Sequence, residues 1–265
     1  MSRWRRRVLL GGAVAAVAVA GGVGYLLLRD TTTPVDVEDA VDRFREGDES
    51  GSGSSVLVDG AGGELPPAGV YVYATEGQDS IDLLGGSTHS YPAETTLTIT
   101  HTECGVRLRW QPLEERWDDE EVCASDAGRE RRTLDTHHEF FGITDDQAFR
   151  CEAGYVLLPV DPEPGATWAT SCRSDDTVLT GTGEVVGVET REVDGEAVET
   201  VHVRVAEESS GANIGPSRDD YWFRAGDGLL VERVSTVATR SDSTVGAAAY
   251  AERFTLRLTS LTPRT

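Results

Sequence analysis

From Val56 onward, apolar and polar residues alternate with a period of two. In Thr96 to Thr102, Leu97, Ile99 and His101 share one face and four threonines share the other. Val106, Leu108 and Trp110 alternate with Arg107, Arg109 and Gln111; Val201, Val203 and Val205 alternate with His202 and Arg204; Phe254, Leu256 and Leu258 alternate with Thr255, Arg257 and Thr259. Such a pattern predicts half-buried antiparallel strands with an apolar face inward and a Thr- and Arg-rich face in water. Asp194-Gly195 and Gly226-Asp227-Gly228 each separate two such runs and predict hairpin turns. About ten to twelve strands follow, with one short helical turn expected over Asp145 to Arg150. Pro67-Ala68-Gly69-Val70-Tyr71 and Pro164-Gly165-Ala166-Thr167-Trp168 both lead into strands, a hint of two similar halves. A meander of this length must bury its edges. The expected fold class is therefore all-β: an antiparallel barrel or half-barrel, with a β-sandwich as the alternative.

Two N-terminal segments break the alternation. Val8 to Leu28 runs for 21 residues without a charge. At ~1.5 Å per residue, a helix of that length crosses the ~30 Å core of a bilayer. Arg3, Arg5, Arg6 and Arg7 precede it and predict a cytoplasmic N-terminus, with the rest of the chain outside the cytoplasm. Cleavage as a signal peptide at Ala18-Val19-Ala20 is the alternative; it gives a secreted protein in the same compartment. The apolar run continues past that site to Leu28, which favours a retained anchor. No cysteine lies near its end, so a lipid anchor is not expected. Next, Thr33 suits a helix N-cap and Pro34 the first helical position. Val37, Ala40, Val41 and Phe44 then form an apolar stripe. That short helix either packs on its own domain or docks a membrane-protein partner. Glu46 to Ser55 reads as a flexible linker. The organisation is a basic end and anchor over 1–29, a juxtamembrane helix and linker over 30–55, and an extracytoplasmic β domain over 56–265.

Charge narrows the functions available. The chain carries 24 basic and 46 acidic residues, a net of −22; the first 29 residues hold five arginines and no acid, so the remainder stands at 19 − 46 = −27. Phosphate backbones are repelled by such a surface, which excludes nucleic acid as a partner. Every basic residue is arginine and Asn213 is the only asparagine, a bias that follows a GC-rich genome of the actinobacterial kind. Cys104, Cys123, Cys151 and Cys172 all fall in the exported part, and an even number there argues for two disulfides. Of three connectivities, Cys104–Cys123 with Cys151–Cys172 closes two loops of about twenty residues, each worth ~3 kcal/mol in the chain-entropy model. No CxxC occurs, so a four-cysteine zinc site is disfavoured.

Candidate chemistry is sparse. If Leu134 to Phe141 is a strand, Asp135, His137 and Glu139 project from one face and offer ligands for a divalent cation. The competing reading is a solvated polar face beside a partly buried His138. His138-Glu139 begins a zincin-like pair, but no second histidine follows. His101, in line with Leu97 and Ile99, reads as a hydrogen-bonded core histidine, and His89 sits in a polar loop. The acidic runs Trp117 to Glu121 and Asp175-Asp176 read as solvated loops. Neither a Gly-x-Ser-x-Gly elbow nor a nucleotide-binding glycine loop occurs, so neither catalysis nor a cofactor is expected. Tyr71, Tyr73, Trp110, Trp168, Tyr221, Trp222 and Phe223 either line a ligand-binding concavity or fill a core.

One resemblance extends this reading. Pro164-Gly165-x-x-Trp168, Val185-Val186-Gly187-Val188-Glu189, Val193-x-Gly195-Glu196 and Tyr221-Trp222-Phe223-Arg224-Ala225-Gly226-x-Gly228-Leu229-Leu230-Val231 resemble the second half of a family of exported bacterial proteins of unknown function. The likeness spans residues 164–235, and its motifs are strand and turn positions. It implies the curved antiparallel sheet of the lipoprotein-carrier half-barrels and, by analogy, a concave apolar surface for a lipid or partner. The sequence therefore predicts a membrane-anchored, non-catalytic extracytoplasmic module binding an apolar or cell-envelope ligand. The alternatives are a structural or interaction domain of a membrane complex without a cavity, and a metal-assisted enzyme around Asp135, His137 and Glu139.

Overall fold

The computed structural model describes residues 30–50, 64–243 and 246–265. The predicted anchor at 8–28 and linker residues 51–55 lie outside the described residues. Among those described, no helix is long and apolar enough to cross a membrane.

The strands are β1 (Gly69–Ile81), β2 (Ser87–Ser90), β3 (Glu94–His101), β4 (Gly105–Leu113), β5 (Arg116–Ser125), β6 (Gly128–Phe140), β7 (Ile143–Cys151), β8 (Val156–Pro159), β9 (Thr167–Arg173), β10 (Thr177–Val193), β11 (Glu196–Gly211), β12 (Asn213–Arg224), β13 (Leu230–Ser243) and β14 (Gly246–Leu258). Twelve of them form a closed antiparallel barrel in the order β1-β3-β4-β5-β6-β7-β9-β10-β11-β12-β13-β14, and β14 returns to β1. The short strands β2 and β8 flank β1 and β6. Closure runs from Tyr73 opposite Leu258 to Ile81 opposite Tyr250, which removes the half-barrel and sandwich alternatives.

The ring is one continuous sheet with two six-stranded halves, β1 with β3–β7 and β9–β14. Each opens on one of the Pro/Gly leads noted in the sequence. Their two seams are unequal. β14 and β1 pair over nine residues, whereas β7 and β9 pair only at Arg150–Arg173 and Cys151–Cys172. The narrow seam carries the Cys151–Cys172 disulfide, and Cys104–Cys123 links β4 to β5 at one end of the barrel. Both predicted pairings are present.

Inward positions carry the predicted apolar faces: Leu97, Ile99, Trp110, Val201, Val203, Phe254 and Leu256 are all buried in one core. The Asp194-Gly195 turn has both residues at positive φ (51° and 79°), as a two-residue hairpin turn twisted with its strands requires. β1 is apolar on both faces because helix α1 (Val37–Ser50) covers its outer side, with Ala40, Val41 and Phe44 on Val70.

Several local expectations fail. Helix α1 begins after Asp36, not at Pro34; Thr33 to Val35 instead pair with the β4–β5 turn through Val35 N to Pro112 O (3.3 Å) and Glu114 N to Thr33 O (2.9 Å). Helix continues through Glu46 to Ser50, residues expected in the linker. The stripe offered for docking a membrane partner is occupied by the barrel itself. Residues 145–150 are strand, paired with β6, not helix. His101 is exposed at the end of β3 and its Nε2 reaches Pro66 O at 3.0 Å, so it is hydrogen-bonded but not a core residue.

Candidate functional site

The strand ends divide the barrel interior into two compartments. Toward the ends of β3, β10 and β12 that carry Ile99, Val193 and Phe223, aromatic and branched side chains fill the lumen. Toward the opposite rim, where the β1–β2, β6–β7 and β11–β12 turns lie, strands β5–β7 and β10–β14 enclose a cavity of about 390 Å³. Its walls are part apolar (Leu134, Phe149, Leu179, Val237) and part hydroxylic (Ser209, Ser217, Ser235). Phe140 and Ile143 stand at the mouth. Exposed Leu84, Ile143 and Ile214 belong to turns and strand starts at this same end, and Leu84 has a left-handed backbone (φ 53°).

A belt of charge forms the floor of the cavity and separates it from the packed half. Arg116 is 3% exposed; its Nη1 and Nη2 donate to Asp118 (2.5 and 3.1 Å), and its Nε and Nη2 donate to Glu252 (2.9 and 3.1 Å). Arg131 donates from Nε to Glu120 (2.9 Å) and from Nη1 and Nη2 to the hydroxyls of Tyr155 (2.8 Å) and Tyr221 (3.1 Å). Arg233 donates to Asp219 (2.9 Å) and lies 3.8 Å from both Asp118 and Glu120. Such pairing is what a buried guanidinium requires, because an isolated charge in a dry interior is prohibitively costly. Burial pushes the carboxyl of Asp118 up, but Arg116 outweighs it and holds the group below the usual carboxylate range. The fifth acid, Glu207, receives a hydrogen bond from Thr170 Oγ1 (3.1 Å) and has no guanidinium within 4 Å among the described residues. Burial pushes its carboxyl up, against Arg131 and Thr170.

Above the floor, His138 stands edge-on to Tyr250 with ring centroids 4.9 Å apart. Among the described residues, neither His138 Nδ1 nor the Tyr250 hydroxyl has a hydrogen-bond partner. Burial, with Arg116 adding to it, holds the His138 imidazole down to about 3, so it is neutral near pH 7. Beside the mouth, His89 lies between Asp30 (Nε2 to Oδ2, 2.6 Å) and Asp79 (Nδ1 to Oδ1, 3.3 Å), stacked on Phe140. Burial alone would lower its pKa; the two carboxylates overcome that and raise it. Asp30 also accepts from the Phe141 backbone N–H (2.8 Å), which ties the first described residue to the rim of the cavity.

The residues singled out in the sequence lie elsewhere. Tyr71, Tyr73, Trp110 and Phe223 are buried in the packed half, and Trp168 packs against that core. Trp222 stacks on His202 on the outer face of β12. Tyr221 is likewise in the packed core, and none of the seven aromatics named from the sequence borders the cavity. Asp135, His137 and Glu139 do not converge on one point: Asp135 pairs with Arg150 (3.3 Å), while His137 pairs with Asp146 (2.6 Å) and stacks on Trp117. Among the described residues, the one group of ligand atoms close enough for a single ion is Cys104, Glu121 and Cys123, and both sulfurs are consumed in a disulfide. Nor is Trp117 to Glu121 a solvated loop. It is part of β5, and Asp118 and Glu120 point into the belt.

The belt did leave a trace in the sequence. Glu207 follows Val205 by two, Arg233 follows Val231 by two, Asp219 precedes Tyr221 by two and Glu252 precedes Phe254 by two. Parity alone puts each on the inward face.

No protein-family model matches this chain, and no curated protein does. Two solved structures show some likeness in backbone path. The hypothetical lipoprotein YmcC from Escherichia coli is 12% identical, with a TM-score of 0.29, over 68% of this chain and 86% of that one. A candidate lipoprotein from Parabacteroides distasonis is 10% identical, also with a TM-score of 0.29, over 71% of this chain and 94% of that one.

Proposed function

We propose that this protein is a membrane-anchored, extracytoplasmic binding module without catalytic activity, whose barrel receives an apolar or amphiphilic ligand derived from the cell envelope. The observation that carries the reading is the divided lumen. One end is packed solid while the other keeps an enterable cavity of about 390 Å³, within the size range of small-molecule sites. A domain serving only as scaffold has no use for inward-facing serines and an unpaired tyrosine hydroxyl where packing would stabilise it. Two disulfides support an oxidising compartment. Asp30 follows the apolar run 8–28 after a single residue and is pinned beside Phe141, so the mouth is the end of the barrel nearest the predicted anchor.

The test is native mass spectrometry of the full chain released from two unrelated detergents. The expected result is one additional mass, common to both preparations and matching neither detergent. A bare polypeptide mass from both preparations overturns the reading in favour of an interaction domain.

A further inference from the structure

The proposed function leaves the chemistry of the ligand open, and the charges of the cavity narrow it. Its walls and floor hold seven carboxyl groups (Asp118, Asp145, Asp176, Glu207, Asp219, Asp242, Glu252) against three guanidinium groups (Arg116, Arg131, Arg233). Each of the three arginines already donates to a carboxylate of the belt. No guanidinium is therefore left over for an anionic head group, and the histidine in the wall is neutral. A fatty acid or phosphate would enter a cleft whose excess charge has its own sign, in walls that focus the field rather than screen it.

Glu207 supplies the opposite preference. It is 7% exposed, borders the cavity and, among the described residues, makes no direct ion pair. Gly181, directly across the β10–β11 ladder, leaves room for its side chain: a Cβ there would stand 2.8 Å from Glu207 Cγ. A buried acid with no direct ion pair is costly, and the protein compensates it with the charge of Arg131 at longer range and with the hydroxyls of Thr170 and Tyr155.

We infer that the lumen binds an amphiphile with a positively charged head, an amine or quaternary ammonium. The head sits at Glu207 on the belt, and the chain runs past Leu134, Leu179 and Phe149 toward Phe140 and Ile143 at the mouth. The inference rests on the binding-module reading and adds the charge and the direction of entry: head first, tail toward the apolar rim. Tyr250 and His138 flank the path with aromatic rings and, among the described residues, an unpartnered hydroxyl and ring nitrogen, compatible with an ammonium group.

The test uses the full chain in lipid nanodiscs, with empty nanodiscs as the blank, titrated calorimetrically at pH 7 with three water-soluble probes: n-octylammonium, 1-octanol and octanoate. The expected order is octylammonium at least tenfold tighter than octanoate, with octanol between them. In Glu207→Gln the ratio of octylammonium to octanol affinity should fall about tenfold. In Glu208→Gln, which removes the same charge from an exposed outward position of β11, that ratio should stay within twofold. If octanol binds but octanoate equals or exceeds octylammonium, the charge assignment is overturned and the binding module stands. An unchanged ratio in Glu207→Gln overturns the charge assignment in the same way. If none of the three probes binds, the binding module falls too. Should Glu207→Gln fail to fold, the ranking of the probes on the unaltered chain still decides.

Discussion

The packed and open halves of the lumen share strands β10 to β14, and along these their difference lies in side-chain size. Along β12 the inward positions read Phe223, Tyr221, Asp219, Ser217 and Gly215 from the filled end to the mouth. Along β11 they read Val201, Val203, Val205, Glu207 and Ser209. Each strand thus passes from large and apolar, through one charged residue, to small and hydroxylic. On this side the cavity comes from that gradient, since the ladders of β11 with β12 and of β13 with β14 continue alongside it; on the β7 side it borders residues 143–149, which do not pair with β9. A barrel of this strand number has more interior than its backbone needs filled, and β11 and β12 place their large apolar residues in one half.

The contrast can be broken most severely in the packed half. Trp110 is 1% exposed, stacks with Phe254 and donates from Nε1 to Thr95 Oγ1 at 3.1 Å. Trp110→Ala should cost about 3–5 kcal/mol, from lost burial plus the hole left behind. Val237→Ala on the cavity wall should cost less than about 1 kcal/mol, because a void is already there. Denaturant unfolding of both variants checks the pair; equal losses would mean that the open half is as tightly packed as the filled one.

A second intervention acts at the narrow seam between the two halves of the ring. Replacing Cys151 and Cys172 together by alanine should lower stability by about 2–4 kcal/mol through the freed unfolded chain. Because only two residue pairs span that seam, hydrogen exchange should rise in β7 and β9 and remain low in β1 and β14. Uniform exchange across the barrel would show that the narrow seam is no weaker than the wide one.

The smallest expected effect sharpens the comparison through pH. His138 in the folded protein titrates near 3, against ~6.5 for an unfolded histidine. Between those values the unfolded state binds a proton that the folded state refuses, so stability falls as pH drops from about 6.5 toward 3. His138→Gln should remove about 1–2 kcal/mol of that loss, a figure discounted for water reaching the cavity. Parallel unfolding curves for the two proteins across this range would mean that His138 is better solvated than its place above the floor implies.

Much of the frame was legible because alternation reports directly on which face of a strand is buried. Phe254, Leu256 and Leu258, the Asp194-Gly195 turn and both disulfides are all in place. The site was not, and the reason is physical. Asp118, Glu120, Glu207 and Arg233 are charged, and a charged residue on a half-buried strand ordinarily faces water. Only parity relative to neighbours such as Val205 and Tyr221 would have turned them inward. On β6 even parity fails: the register shifts so that Arg132 is an extra residue, and Arg131 and Leu134 both face the lumen three positions apart. The aromatic candidates misled for the converse reason. Bulky residues mark where a barrel is full, and a cavity is marked by small ones.

Closure of the ring has a kinetic consequence. Apart from the short strand β8 on β6, the ladders join strands that are neighbours along the barrel path, and most are hairpins. Only β1 and β14 bring the two ends of the β region together, Tyr73 finding Leu258. Loop closure over a separation of that order costs roughly 4–5 kcal/mol of chain entropy before any contact offsets it. The meander can zip up locally, but this last registration is non-local and hence slow. Until it happens the molecule is a twelve-stranded open sheet with two bare edges, each a template for another chain. For this protein the interval between synthesis and closure is the period of greatest exposure to misassembly, and one ladder of nine residue pairs ends it.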